Sequence, residues 1–159
     1  MTLEAAQLLA ETLLREHGLS TKGWRFGWFG RKRTFGLCDY GHKMLYLSVP
    51  LVVLNDAAAV RDTLLHEIAH ALAGHRAGHG RRWREVAQRL GATPKRCFDA
   101  EAVNLPRAPY SLVCGACGRA QPRWRKTRQR WACRDCCGRY NGGRYSEQYR
   151  LELRTNAHP

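Results

Sequence analysis

His66-Glu67-Ile68-Ala69-His70, followed nine residues later by His79, is the stretch of this chain whose residue types and spacing suit metal chemistry. On an α-helix successive residues stand about 100° apart, so His66 and His70 project from one face a turn apart and both imidazoles can reach a single Zn²⁺. Glu67 leaves from a neighbouring face, where a carboxylate can take a proton from a zinc-activated water without being a ligand itself. The chemistry implied is that of a metallohydrolase, with hydrolysis of a peptide bond as its leading form.

The flanking residues predict the helix this requires. Asn55 and Asp56 are N-cap types ahead of Ala57-Ala58-Ala59-Val60, and Leu64, Leu65, Ile68, Ala69 and Leu72 make one apolar sector separate from the histidines. The third ligand is less direct. A metzincin spacing would need Gly and His where Ala73 and Arg76 stand, so that pattern fails. His75 points to the opposite side of a continuous helix and reads as solvated. His79 follows a break at Ala77-Gly78 and precedes a second helix, Gly80 to Leu90, with Trp83, Val86, Ala87 and Leu90 on one face. A chain reversal there could return His79 to the metal, while Glu85 or Glu101 are alternatives on chemistry alone.

His66-Glu67-x-x-His70 with a downstream His79-Gly80-x-x-Trp83 resembles the SprT-like metalloproteases, the group that includes the Spartan-type proteases of DNA-protein crosslinks. The segment from Trp24 to Leu47 is similar as well, through Gly36-Leu37-Cys38 and Met44-Leu45-Tyr46-Leu47-Ser48. The resemblance implies that His66, His70 and His79 hold a catalytic zinc and that Glu67 is the general base. It extends into the C-terminal region, where many members carry a zinc ribbon.

Cys114-x-x-Cys117 and Cys133-x-x-Cys136, separated by fifteen residues, match the common four-cysteine zinc pattern. Such a closed thiolate set leaves no open position, so this second zinc is expected to be structural, stapling a region too small to fold dependably on its own core. Cys137 offers an alternative to Cys136, which is preferred because the first knuckle has two intervening residues. Seven cysteines, an odd number with no secretory signal, argue against a disulfide framework and for an intracellular protein, in the cytoplasm or nucleoid of a bacterium or the nucleus of a eukaryote. Cys38 and Cys97 read as small buried hydrophobes.

With 27 Lys and Arg against 13 Asp and Glu, the net charge is +14, which favours a polyanionic partner. Residues 107–154 hold twelve basic and three acidic residues, so the C-terminal region is the expected docking surface for DNA, single-stranded DNA included. Within it, Arg123, Trp124, Arg125, Lys126, Arg128 and Arg130 interleave cations with an aromatic ring, on an expected hairpin running to Trp131. Arg31-Lys32-Arg33 and Arg81-Arg82 are further basic clusters.

The expected architecture is α+β: a small zincin-like metalloprotease domain of helices and a short antiparallel sheet over residues 1–105, then a basic zinc ribbon over 106–155. A helix over 2–17, strands at 24–29 and 44–49 around a basic loop, helices at 80–90 and about 96–103, and a last strand within 145–154 complete the reading, with 156–159 disordered. No segment is suited to spanning a membrane. The functional expectation is a zinc protease stimulated by DNA and acting on DNA-bound or DNA-crosslinked proteins. A DNA-binding ribbon protein whose histidine domain is an inactive scaffold, and a hydrolase of non-protein amides, are the alternatives.

Overall fold

The structure is a computed structural model that describes residues 1–96 and 103–156, which divide into two compact units, Met1–Pro106 and Arg107–Pro159. The expected helix at 96–103 and residues Cys97 and Glu101 lie almost wholly or wholly outside the described residues.

In the first unit, α1 (Leu3–Glu16) starts where Thr2 accepts a hydrogen bond from the Ala5 N–H and buries Ala6, Ala10, Leu13 and Leu14, a spacing that makes one helical stripe. Three strands follow: β1 (Arg25–Phe29), β2 (Gly36–Asp39) and β3 (Met44–Ser48), in the spatial order β1-β3-β2. β2 and β3 form an antiparallel hairpin, but β1 pairs with β3 in parallel. The strands at 25–29 and 44–48 therefore do not make the simple hairpin expected around the basic loop. The loop instead carries the chain across to place β2 at the far edge, and the alternation of buried Leu45 and Leu47 in β3 holds the central strand against the core.

Ser48 ends β3 and caps a short α2 (Val49–Leu54), a helix not expected ahead of the one that starts at Ala57. Asp56 then caps α3 (Ala57–Ala73), accepting from the Ala59 N–H at 2.8 Å. Val60, Leu64, Leu65, Ile68 and Ala69 of α3 are buried together with the α1 stripe and the inner face of β3. α3 stops at Gly74 (φ +89°), and a single 3₁₀ turn, His75–Ala77, leads to Gly78. Gly78 has φ +48° and ψ −132°, a conformation that only glycine adopts without strain, and it reverses the chain into α4 (Arg81–Leu90). Trp83, Val86 and Ala87 turn inward from α4.

The second unit is a three-stranded antiparallel sheet, order β5-β4-β6, made of β4 (Tyr110–Cys114), β5 (Ala120–Arg123) and β6 (Leu151–Thr155), with α5 (Arg134–Tyr140) beside it. Three features differ from the expectation. The hairpin is β4–β5, turning through the first cysteine knuckle, and the basic run after Arg123 is an irregular loop. The last strand is shorter, because Glu147–Tyr149 form a 3₁₀ turn whose end is tied to the second knuckle by Cys133 N–H to Tyr149 C=O and Leu151 N–H to Trp131 C=O. Asn156 is ordered, bonded through its backbone N–H to Pro109 C=O, its Nδ2 to Ala108 C=O and its Oδ1 to the Ser111 hydroxyl. Among the described residues no helix is long and apolar enough to cross a membrane.

Candidate metal centres

α3 carries His66 and His70 one turn apart, and the reversal at Gly78 brings His79 back over them. The Nε2 atom of His79 lies 3.1 Å from that of His66 and 3.0 Å from that of His70. Ligands about 2.0–2.1 Å from a tetrahedral Zn²⁺ stand about 3.3–3.4 Å apart, so the three nitrogens are close to the spacing such an ion imposes. Three convergent imidazole nitrogens cannot all satisfy one another by hydrogen bonding, since each neutral ring carries one proton for two nitrogens. Burial pushes His66 and His70 down to about 4, below the ordinary 6.5, which keeps both neutral and their lone pairs available. The residues fit zinc.

Glu67, next to His66 in α3, is 8 % exposed. Burial raises its carboxyl to about 8, opposed by the backbone N–H of Cys38, and a dication at the histidines would draw it back down. β2 comes close here because Gly36 has no side chain: a Cβ at that position would stand 2.6 Å from Glu67 Oε1 and 2.8 Å from Thr63 Cγ2. His66 and Glu67 together line a cavity of about 350 Å³ whose wall includes Arg33, Phe35, Lys95 and Arg96.

Among the described residues, other polar groups near the histidines have different roles. Glu85 pairs with Arg81 at 2.8 Å on the exposed face of α4, so it is not a ligand in this arrangement. Neither Arg81, 93 % exposed in its side chain, nor His75, exposed and edge-on to Tyr40, lines the cavity. The Tyr40 hydroxyl donates to the His70 carbonyl at 3.0 Å and is thereby committed to holding the end of α3. Cys38 is half-buried beside the site, and its contribution is a backbone N–H.

In the second unit Cys114, Cys117, Cys133 and Cys136 converge, with Sγ atoms of Cys114 and Cys136 3.9 Å apart and those of Cys117 and Cys133 3.7 Å apart. Zn–S bonds of about 2.3 Å in a tetrahedron require about 3.8 Å. Gly118, at φ +70°, closes the first knuckle by donating its N–H to Cys114 C=O. The Cys136 N–H draws the Cys133 thiol downward, toward the thiolate a metal needs. Cys137 is buried outside this set; its backbone is used to continue α5 and to accept from Asn141 and Gly143.

The basic residues lie at the end of β5 and on the loop after it. Arg125, Lys126, Arg128 and Arg130 are exposed, while Arg123 and Trp124 are half-buried. The exposed indole is that of Trp131 (41 %), with the Arg123 guanidinium 5.8 Å from its ring centroid.

Sequence reasoning overlooked three features of the first site: the contact of Gly36 with Glu67, the cavity wall formed by Lys95 and Arg96, and the position of Trp83 against all three histidines. Only the last left a local trace, its place on the inward face of α4.

Three convergent imidazoles, a buried carboxylate beside them and an adjoining cavity define a mononuclear metal-binding domain, here followed by a four-cysteine cluster consistent with a zinc ribbon. The chain belongs to the SprT-like family, whose family model matches residues 4–103, a family that includes metalloproteases. No individual curated protein and no solved structure matches the chain.

Proposed function

We propose that this protein is a zinc-dependent endopeptidase that acts on proteins bound or crosslinked to DNA. The observation that carries the hydrolytic part is the Glu67 carboxylate, buried next to His66 on the wall of a cavity large enough to admit a peptide segment. A site that only held metal would have no use for a carboxylate kept there at the cost of its desolvation.

His66, His70 and His79 would hold the ion through Nε2. When bound, zinc supplies a Lewis acid that polarises the scissile carbonyl and acidifies water toward a pKa of about 7. Glu67, held by the Cys38 N–H and by the space left at Gly36, takes the proton of the attacking water and returns it to the leaving amine nitrogen. Phe35 and Val103, both buried, form apolar wall that limits water around the carboxylate.

The four thiolates would hold a structural zinc, and free cysteines in that cluster suit a reducing, intracellular setting. Arg125, Lys126, Arg128 and Arg130, exposed on one loop, supply the phosphate contacts, and Trp131 with Arg123 a stacking surface for unpaired bases. Selectivity would then come from which proteins are held on DNA.

The test is cleavage of a basic DNA-binding protein by the zinc-loaded full chain, with and without single-stranded DNA, beside Glu67→Gln. Cleavage that DNA stimulates and Glu67→Gln abolishes supports the reading; zinc bound at both sites with no cleavage in either condition removes it.

A further inference from the structure

Trp83 lies against all three candidate ligands. Its ring centroid is 4.7 Å from that of His66, 5.2 Å from that of His70 and 4.6 Å from that of His79. The indole is tilted 30° to the His70 ring and is steeply inclined to the other two, at 62° to His66 and 76° to His79. It is 0 % exposed, and its Nε1–H is buried without a hydrogen-bond partner among the described residues. What the side chain contributes is ring surface.

Metal-ligating histidines are ordinarily oriented by a hydrogen bond from the ring nitrogen that faces away from the ion. Here the Nε2 atoms converge, and the three rings share contact with one indole. Tyr40 reaches His70 but bonds to its backbone carbonyl. An imidazole is free about its Cβ–Cγ bond within a broad, roughly two-fold well, so something else must keep three Nε2 atoms on one point.

We propose that Trp83 is the positioning residue of the histidine site, its indole fixing the three imidazoles by face and edge contact. The arrangement joins the two elements that the site depends on. His79 stands four residues before Trp83 at the entry to α4, whereas His66 and His70 belong to α3, so one rigid ring sets the angle of ligands from both.

The experiment uses Trp83→Phe and Trp83→Leu in the full chain. Zinc affinity of the histidine site is measured by competition with a chelator. The same site is then refilled with Co²⁺, the ribbon keeping its zinc, and the ligand-field spectrum is recorded. Loss of an orienting partner costs a metal site about 10–100-fold in affinity, and that is the loss expected for Trp83→Leu. Trp83→Phe should lose less, because a smaller ring still covers part of the imidazole surface, and both should shift the Co²⁺ bands while ribbon zinc is unchanged.

Folded variants with wild-type affinity and spectrum would overturn the proposal and leave Trp83 as core filling. Should circular dichroism show that Trp83→Leu does not fold, Trp83→Phe decides by the same two readouts. The inference rests on the histidines being metal ligands: a wild-type chain whose zinc content is unchanged by His66→Gln/His70→Gln would remove that reading, whereas histidine-dependent zinc in the wild type with unaltered Trp83 variants would remove only the role of Trp83.

Discussion

Gly36 and Glu67 are in contact across the edge of the sheet, so close that a methyl group at Gly36 would stand 2.6 Å from the carboxylate oxygen and 2.7 Å from Glu67 Cγ. Glu67, the proposed general base, thus packs against a residue with no side chain, and the N–H of Cys38 two residues further along the same strand draws its carboxyl pKa downward. Gly36→Ala should displace Glu67 while leaving the histidines in place. Because a misplacement of about 1 Å can cost about 100-fold in rate, the expected loss in kcat/KM is about 10–100-fold. Zinc content should be unchanged, and steady-state kinetics beside metal analysis checks both.

Cys136 and Cys137 are adjacent, yet only Cys136 joins the thiol cluster. Cys136→Ser should lower zinc content from two ions per chain to one, whereas Cys137→Ser should retain both. Metal analysis of the two purified variants separates these outcomes, and the reverse pattern would mean that the second knuckle closes with three intervening residues.

Removal of zinc should affect the two units unequally. Among the described residues the second unit has a buried cluster of Leu112, Cys114, Cys133, Cys136 and Leu151 with Tyr149 against it, while the first has an extended core from α1 to α4. A strong chelator should therefore unfold the ribbon and leave the first unit folded. Limited proteolysis should then cut within residues 107–156 before it cuts within 1–96.

The two buried histidines should cost the metal-free first unit stability as pH falls. His66 and His70 are held near 4 in the folded state by burial, against 6.5 ordinarily, so below 6.5 the unfolded chain binds protons that the folded chain refuses. Stability present above pH 6.5 is lost progressively as pH falls toward 4. The raised carboxyl of Glu67 acts in the opposite sense between about pH 8 and 4.5, so the measurement is made in a Glu67→Gln background: urea midpoints of chelator-treated protein at pH 7.5, 6 and 5 should decline there, and less steeply when His66 and His70 are also replaced by Gln.

The proposed contact of the exposed loop with DNA predicts a salt dependence. Each phosphate contact to single-stranded DNA contributes about 0.7 to the slope of log affinity against log salt. Replacing Arg125, Arg128 and Arg130 by Ala should reduce that slope by about 2, if each meets one phosphate, and weaken binding without regard to base sequence. Fluorescence anisotropy over a salt series reads it; an unchanged slope would move the DNA surface elsewhere.

The two ligand motifs were legible in the amino-acid sequence because they are local. One helical turn places His66 beside His70, a tight turn places each cysteine beside its neighbour two residues on, and the caps and apolar stripes that frame them depend on short-range geometry that residue types report directly. The charge imbalance is equally a property of composition. What needed the tertiary structure was every relation between distant segments. The return of His79 depends on a reversal at Gly78 whose angle no pattern states, and the choice of Cys136 over Cys137 depends on how α5 begins. The parallel pairing of β1 with β3, which sends β2 to the edge where Gly36 meets Glu67, is set by packing of β2 and β3 against α3 and of β1 against α1, because strand partners are chosen by the surface they bury together and not by their order along the chain.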